Sequence, residues 1–360
     1  MTTAYSGDGI TFPDNSVQAT APRVGMVNRI INGDMRIDQR NGGASVTSTT
    51  SNPYTLDRWQ AIATVSSKYT IQQSSTASTG FTNSLLVTSS AATTVGSGDV
   101  YSMRQLVEGF NCADLGWGTA NAQTVTLSFL VRSSLTGTFG GSFRNSASNR
   151  SYPFSYTVSA ANTWEQKSVT VAGDTSGTWL TTNGAGISIS FGLGVGSTYS
   201  GTAGSWAGAD YASATGATSV VGTSGATFYI TGVQLEKGST ATDFEYVDYG
   251  RQLQMCQRYF QAFTIATYSF AGATYSASDA RATISFRSSM RTPPTSISTT
   301  GAISFATSAG VATGTIAFSN SSIDYVSVIA SGATGLPAAG GACLLRSNVG
   351  PFDLQVGAEL

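Results

Sequence analysis

Histidine is absent from this sequence of 360 residues, and cysteine is rare. Without an imidazole the chain cannot build Ser-His-Asp or Cys-His nucleophilic machinery, a histidine general base or the usual zinc ligand sets. The three cysteines, Cys112, Cys256 and Cys343, are odd in number and far apart, and no CxxC pair occurs. They therefore indicate buried free thiols, and neither a metal knuckle nor a disulfide framework is expected.

Charge is also scarce, since charged residues make up 10% of the chain, against about 25% in a typical soluble domain. With a formal net charge of −1 there is no basic stripe to neutralise phosphates, so nucleic acid is not expected as a partner. No uninterrupted apolar run predicts a membrane helix, and the N-terminus lacks the apolar stretch of a signal peptide. We therefore expect that the protein does not insert into a membrane. We also expect that it assembles in a reducing cytosol.

What the chain does contain is a β pattern over residues 24–247. Apolar residues alternate with polar ones in many short segments, of which 124–133 (TVTLSFLVRS) is the clearest. About ten such strands, with turn signals between them, predict an all-β sandwich of the jelly-roll type. Residues 27–31 and 35–37 are expected to be strands, because an Asn-Gly pair at 32–33 predicts a turn between them.

The tryptophans divide between expected core positions and undecided ones. Trp59 and Trp164 lie on strand-like flanks and are assigned to the core. Trp117 and Trp179 carry no local pattern that decides between core and surface.

A change of period after residue 227 marks the boundary between two domains. Residues 227–235 alternate as a strand, and Gly232 shifts the phase by one, which predicts a bulge. From Asp248, an available N-cap, the apolar period becomes helical. The helical stripe consists of Tyr249, Leu253, Cys256 and Phe260. This pattern predicts a short hinge helix at 248–258, followed by a C-terminal β-sandwich at 259–360.

Four strings resemble, in the same order, a broad group of tail-fibre proteins of tailed bacteriophages. They are GDGITFPDNSVQATA at 7–21, NRIINGDMRIDQR at 28–40, YTLDRW at 54–59, and GVQLEKGSTATDFEYVDYG with CQRYF between 232 and 260. One position departs from the group, which often has proline where this chain has Asp243. The resemblance implies a homotrimeric tail fibre of the virion, assembled in the host cytoplasm, that recognises the host surface. It also implies that residues 1–23 dock on the phage tail or baseplate and that residues 259–360 form the distal tip.

The layout of NRIINGDMRI, NTWEQKSVTVAGD and TFYITGVQLE also resembles carbohydrate-binding jelly rolls. Many such modules hold a structural Ca²⁺ between their first and last strands, where oxygens supply about six to eight ligands. The resemblance implies that Asn32 and Asp34 are candidates for a calcium site, and no other cofactor is expected. The alternative is that Asp34 and Asp38 form turn hydrogen bonds or pair with neighbouring arginines.

The most glycine-dense part of the chain, residues 192–227, is too long for an ordinary hairpin loop. Tyr199, Trp206 and Tyr211 stand in it among small residues. Sugars stack on such rings because a pyranose has an apolar C–H face and polar edges, and Asp210 is placed to take the hydroxyls. These four residues are the first glycan-binding candidates. The alternative is that the rings fill a subunit interface or pack locally.

A second set of glycan-binding candidates lies in the C-terminal domain. Tyr268, Tyr275 and Asp279 stand in or beside an exposed-looking turn, GATYSASD. The resemblance to fibres implies that this domain is the distal tip, which makes the turn a candidate receptor contact. Ordinary packing is the competing interpretation for these side chains.

Three function classes follow from these patterns. The first is a non-enzymatic tail fibre that adsorbs to host-surface polysaccharide, lipopolysaccharide or capsule. The second is a virion-associated glycan depolymerase, which would need two carboxylates about 5–5.5 or 6.5–9.5 Å apart in a cleft. Its candidate carboxylates are Asp99, Glu108, Asp114, Glu165, Asp174 and Asp210. The third is a baseplate or head-decoration protein. The first class is the expected one because of the four strings that resemble tail fibres, the two β units and the aromatic residues in glycine-rich loops. No local pairing singles out two carboxylates for the second class.

Overall fold

The computed structural model describes residues 4–6, 9–11, 17–18, 26–265, 270–299, 303–308, 310–319, 321–347 and 352–360. Nearly all of the regular structure in these ranges is β, as the alternation predicts. Near the N-terminus, β1 (Ala4–Ser6), β2 (Gly9–Thr11) and β3 (Val17–Gln18) form a small antiparallel sheet. No helix in the described ranges is long and apolar enough to cross a bilayer.

Residues 46–237 form a sandwich of two antiparallel sheets. The five-stranded sheet has the order β11-β10-β13-β8-β5, and the six-stranded sheet has the order β12-β9-β16-β7-β6-β4. Two further short strands, β14 and β15, pair in parallel. The bounds are β4 Val46–Thr47, β5 Trp59–Ala63, β6 Tyr69–Ser74, β7 Ser84–Ser89, β8 Val100–Glu108, β9 Val125–Ser133, β10 Gly137–Arg144, β11 Ser151–Val158, β12 Glu165–Val171, β13 Ala185–Val195, β14 Ser200–Gly201, β15 Ser213–Ala214 and β16 Thr227–Lys237. The jelly-roll sandwich predicted from the sequence is confirmed.

The inward faces of the two sheets share one aromatic core. Phe129 of the six-stranded sheet meets Phe191 of the five-stranded sheet edge to face, with ring centroids 5.1 Å apart. Burying each such ring stabilises the fold by about 1.5–3 kcal/mol. Trp59 lies in this core as predicted. The core assignment of Trp164 is wrong, because this ring packs edge to face on Tyr229, on the outer face of the six-stranded sheet.

The opening segment lies beside the last strand of the sandwich, but not as a strand. The Asn32-Gly33 turn is present, whereas the flanking strands predicted at 27–31 and 35–37 are absent. The backbone amide of Val233 donates to the Gly33 carbonyl at 2.9 Å, and a Cβ on Gly33 would lie 2.1 Å from the Val233 oxygen. Asn32 and Met35 have positive φ angles of 58° and 60°, which interrupts an extended ladder.

The bulge predicted at Gly232 is confirmed. The register of β16 against β9 shifts between Thr231 and Gln234, and Gly232 has a φ of +60°. A Cβ at this position would also lie 2.8 Å from the ring of Phe81. The backbone conformation and the close approach of a ring both require glycine here.

The hinge helix is confirmed as α1 (Tyr249–Gln257), and the Asp248 carboxylate accepts a hydrogen bond from the Arg251 amide at 3.2 Å. The predicted apolar stripe is only half right. Cys256 is fully buried, but Tyr249 is 53% exposed and Gln252 is buried in its place. Apolar spacing therefore does not lead to burial of Tyr249 at the start of this short helix.

In its described residues the C-terminal domain has nine strands around one core, and six of them close into a barrel where the sequence predicts a second sandwich. The barrel order is β18-β19-β23-β22-β21-β24, and a three-stranded sheet, β17-β25-β20, packs on it. The bounds are β17 Phe260–Ile265, β18 Phe270–Thr274, β19 Ala280–Ser285, β20 Ser296–Thr299, β21 Ile303–Thr307, β22 Gly310–Ser319, β23 Tyr325–Thr334, β24 Ala342–Ser347 and β25 Phe352–Gly357. Pairing of β18 with β24 closes the barrel, and closure removes two exposed strand edges.

Buried charged groups hold the two domains together. Glu108 of β8 accepts from the Arg258 guanidinium at 2.7 Å and from the Tyr259 hydroxyl at 2.5 Å. Burial alone would raise the pKa of Glu108, but the hydrogen bonds from Arg258 and Tyr259 outweigh it and lower that pKa. Arg291 reaches across the boundary to the Asn183 carbonyl at 2.6 Å. The boundary is therefore a packed joint.

Candidate functional site

The glycine-rich loop places Trp206 in a cluster of three tryptophans. Trp206 meets Trp117 and Trp179 edge to face, with ring centroids 5.4 and 5.5 Å apart. Its indole N–H donates to the Ala172 carbonyl at 2.8 Å, and Tyr152 contacts another edge of the ring. This geometry favours the packing interpretation of Trp206, and it places the two unassigned tryptophans at the edge of the sandwich core.

Asp210 and Tyr211 lie together on the outer side of the five-stranded sheet. The Asp210 carboxylate pairs with Arg144 at 2.6 Å and keeps a side-chain exposure of 38%. Tyr211 is half-buried over Gly201, where an added Cβ would lie 2.2 Å from its ring. The Tyr199 carbonyl accepts from the Ala212 amide at 2.7 Å. The structure thus brings three of the four loop candidates together, and their glycan role stays a prediction.

The turn at residues 272–279 of the C-terminal domain presents Tyr275, which is 66% exposed. The Arg281 guanidinium lies 4.1 Å from the centroid of this ring, and the Tyr275 amide donates to the Asp279 carbonyl at 2.7 Å. Asp279 is half-buried and closes the turn. Tyr268 lies outside the described residues. The exposed ring is compatible with a receptor contact, which also stays a prediction.

The two calcium candidates have protein partners. The Asn32 amide donates to the carbonyls of Ile37 and Asp57, and its oxygen accepts from the Ile37 amide at 2.9 Å. Asp34 pairs with Arg36, while its other oxygen is buried without a partner. In the ranges that the structure describes, no group of three or more acidic or cysteine side chains is placed to hold a metal ion. The geometry favours the ion-pair alternative for Asp34.

A cleft of about 320 Å³ opens beside the bulge of β16, on the outer side of the six-stranded sheet. Three rings form one wall, and we call them the aromatic triad: Phe81, Phe244 and Tyr246. Their centroids lie 5.1–5.5 Å from one another. Tyr246 is 57% exposed, and its hydroxyl donates to the Gly80 carbonyl. The triad therefore presents aromatic surface to solvent at a concave site.

The backbone around the cleft explains why the rings meet. Phe81 sits over the bulged Gly232, where any side chain would collide with it. The linker after β16 is tied to the sandwich because the Glu245 amide donates to the Gln234 side chain at 2.8 Å. Alternation along this linker then directs Phe244 and Tyr246 to the same side. The bulge and the linker together position the triad.

Polar groups complete the cleft. Gln166 and Asp243 are exposed at its rim, and Ser128 and Thr242 line it. Apolar rings with a few polar groups around them match a sugar, whose C–H face stacks while its hydroxyls form hydrogen bonds. The cleft has the chemical features of a small carbohydrate site.

The six carboxylates considered for hydrolysis all have protein partners. Five form ion pairs: Glu108 with Arg258 (2.7 Å), Asp114 with Arg29 (2.6 Å), Glu165 with Lys167 (2.7 Å), Asp174 with Arg150 (2.6 Å) and Asp210 with Arg144 (2.6 Å). Asp99 accepts from the Gly96 amide at 2.8 Å. The Lys167 ammonium and nearby backbone amides lower the pKa of Glu165 to about 2. Glu165 is therefore ionised at neutral pH and cannot act as a general acid. These contacts give the carboxylates structural roles.

Sequence reasoning missed the aromatic triad. Phe81 lies in a loop before β7, far along the chain from the linker that carries Phe244 and Tyr246. The alternation in DFEYV was the only available signal, because it places two rings on one side of an extended segment. The third ring, Phe81, could not be predicted, because the sequence does not show that the loop before β7 packs against the bulge at Gly232.

No protein-family model and no curated protein sequence matches this chain. Similar solved structures include a protein of Bacteroides thetaiotaomicron described as sugar-binding, with 12% identity and a TM-score of 0.36 over 59% of this chain and 100% of that one. The enzymatically active domain of tailspike protein 4 of bacteriophage CBA120 has 12% identity and a TM-score of 0.32 over 59% of this chain and 22% of that one. A tandem carbohydrate-binding module from Paenibacillus barcinonensis has 10% identity and a TM-score of 0.26 over 89% of this chain and 99% of that one.

Proposed function

We propose that this protein is a tail fibre of a tailed bacteriophage that adsorbs to a polysaccharide of the host surface. The aromatic triad beside its 320 Å³ cleft is the observation that carries the carbohydrate part of this proposal. The four ordered strings that resemble tail fibres support the viral part. The fibre is a homotrimer of the virion, and residues 1–23 attach it to the tail or baseplate.

Adhesion accounts for the molecule better than cleavage does. Each of the six carboxylates predicted as candidates for hydrolysis is held by an arginine, a lysine or a turn amide. A glycosidase instead needs two carboxylates free to meet substrate. Release of reducing sugar from host polysaccharide by the purified protein would contradict this part of the proposal.

A ring deletion with a matched control tests the glycan site. Tyr246→Ala removes the exposed ring of the triad, whereas Tyr249→Ala removes a tyrosine of similar exposure from the hinge helix. Because one stacked ring contributes about 1 kcal/mol or more, we expect Tyr246→Ala to weaken binding to purified host polysaccharide about tenfold. Tyr249→Ala should bind like the wild type. Equal binding by both variants, with unchanged melting curves, would show that the cleft does not bind the polysaccharide.

The oligomeric state and attachment are tested separately. Because the resemblance to tail fibres implies a homotrimer, we expect a sedimentation mass of three chains. Linking the copies would also strengthen weak single-site sugar contacts through effective concentration. Deleting residues 1–23 should release the fibre from virions, while virions that keep the truncated protein would favour a head-decoration or baseplate protein. A monomeric protein that does not bind bacterial envelopes would overturn the proposal.

A further inference from the structure

A second cleft lies at the joint between the two domains, between the hinge helix and the segment that follows β19. We call it the joint cleft, and its volume is about 590 Å³. Clefts of this size commonly hold small molecules. Its polar lining residues are Arg251, Gln254, Arg258, Arg287, Ser288 and Ser289. Half of these six are arginines, although lysine and arginine together supply only 18 of the 360 residues of the chain.

One stripe of the hinge helix forms a wall of the joint cleft. Arg251, Gln254 and Arg258 are spaced at i, i+3 and i+7. Because an α-helix has 3.6 residues per turn, these positions share one face of α1, with Arg258 at its C-cap. The buried residues Gln252 and Cys256 belong to a different face of the helix. The helical period therefore places both helix arginines on the same wall.

A buried glutamine fixes the other wall of the joint cleft to the helix. The Gln261 side chain is fully buried, and its amide donates to the carbonyls of Gln257 at 3.0 Å and Ser288 at 2.7 Å. The Gln261 side-chain oxygen accepts from the Arg287 amide at 2.9 Å. One side chain thus joins the last turn of α1 to residues 287–288, so the two walls are held together without a ligand.

Two of the three arginines form no ion pair with the described residues. The Arg251 side chain is exposed and makes no hydrogen bond within the described part of the chain. Arg287 is also exposed, and it donates to the Ala262 carbonyl at 2.8 Å. Its guanidinium lies 4.6 Å from the centroid of the Phe263 ring. These contacts orient the Arg287 guanidinium but leave its positive charge without a carboxylate.

Three carboxylates lie near the joint cleft, and none of them lines it. Glu108 is held by Arg258 through hydrogen bonds of 2.7 and 3.0 Å, so these two charges balance each other. Asp248 caps the first turn of α1. Asp324 accepts from the Ser289 hydroxyl at 2.5 Å and is itself exposed to solvent. The two unpaired arginines therefore give the walls of the joint cleft a positive charge that attracts an anion.

We propose that the joint cleft is a second saccharide site, which selects a sugar that carries an oxyanion. Arg251 and Arg287 hold the oxyanion from the two walls, because guanidinium groups match the oxygens of carboxylate and phosphate. The side chains of Gln254 and Ser288 bond the neighbouring sugar hydroxyls. The oxyanion is a uronate carboxylate or a sugar phosphate. The choice of a saccharide rests on the proposed function, whereas the charge selection comes from the arginines.

Calorimetry of the full chain with four matched probes tests the site. The probes are glucose 6-phosphate, glucuronate, uncharged glucose and inorganic phosphate. We expect one of the two charged sugars to bind about tenfold or more tightly than glucose, because glucose cannot form charge-assisted hydrogen bonds with arginine. The charged sugar that binds more tightly identifies the source of the oxyanion. Inorganic phosphate should bind more weakly than that sugar, because it lacks the sugar hydroxyls.

Variants assign the preference for the charged sugar to the joint cleft. Arg251→Gln removes a cation that makes no side-chain contact in the described residues, so it should abolish most of the preference without changing the melting curve. Arg251→Lys keeps the charge but not the guanidinium fork, and it should retain part of the preference. Arg287→Gln should act like Arg251→Gln. Lys237→Gln removes an exposed cation at the end of β16 and should leave the preference intact.

Four results would overturn the inference: equal binding of charged and uncharged sugars, an undiminished preference in Arg251→Gln, inorganic phosphate binding as tightly as the preferred sugar, or a lower sedimentation mass for Arg251→Gln. The last result would mean that the arginine contacts another copy of the chain. The proposed function is tested by host-polysaccharide binding of Tyr246→Ala, and the cleft beside the aromatic triad shares no lining residue with the joint cleft. Absent charge selection together with a working triad would contradict only this inference.

Discussion

Arg58 and Glu359 form an ion pair that joins the two domains across 301 residues of sequence. The Arg58 side chain is 1% exposed, its guanidinium stacks 3.6 Å from the Tyr259 ring centroid, and it donates to the Leu106 carbonyl at 2.6 Å. Arg58 also adopts a φ of +72°, an unusual conformation for a residue with a side chain. The penultimate residue of the chain is thus part of the joint between the domains.

Removing one member of this pair should destabilise the protein strongly. Glu359→Gln leaves the buried Arg58 cation without its carboxylate, and we expect a loss of about 3 kcal/mol in the free energy of unfolding. Asp114→Asn breaks an exposed pair, in which Asp114 is 52% exposed, and should cost less than about 1 kcal/mol. Urea denaturation measures both. Similar small losses in the two variants would show that the Arg58 pair does not hold the joint.

Asp57 should make stability depend on pH in a defined window. Burial raises the pKa of Asp57 from 3.8 to about 6, and hydrogen bonds from Gln39 only partly offset this. Because the folded pKa lies above the unfolded one, the contribution of Asp57 is fully present below about pH 4 and is lost as pH rises through about 6. The wild type should therefore lose up to about 3 kcal/mol relative to Asp57→Asn between these values. Parallel stability curves of the two proteins would contradict the shift.

Gly232→Ala should damage both the fold and the cleft. Alanine would have to adopt a backbone φ of +60° at this position, and its methyl group would collide with the Phe81 ring. We therefore expect a loss of about 1–3 kcal/mol in the free energy of unfolding and weaker glycan binding. Gly98→Ala is the control, since a Cβ there has nothing within 4 Å. Thermal melts and polysaccharide binding check the two effects. A stable Gly232→Ala protein with full binding would show that the bulge does not position the triad.

Trp206→Ala should act on stability. The ring contacts Trp117 and Trp179 and bonds the Ala172 carbonyl, so its removal should cost about 2–3 kcal/mol. Binding to host polysaccharide, measured below the melting temperature, should stay near the wild-type value. If adsorption falls while the melting curve is unchanged, Trp206 is a glycan contact as the loop pattern first indicated.

Most strands and the helix were predictable because their signals are local. The alternation at 124–133 matches β9 (Val125–Ser133), and the period change at Asp248 matches α1. Tyr249 and Trp164 show the limit of such patterns, since apolar spacing does not say whether another part of the chain covers the residue. Of the loop candidates, Tyr199, Asp210 and Tyr211 were predicted and are brought together by the structure, while the aromatic triad was not predicted.

By itself the sequence determined the alternation of inward and outward side chains, the glycine at the bulge and the cap of the helix, because each depends on neighbours within a few residues. The tertiary structure alone decided that six C-terminal strands close into a barrel and that Phe81 meets Tyr246. It also decided that Arg58 meets Glu359. These relations join distant segments through strand pairing and loop return, and no local periodicity encodes which segments become neighbours.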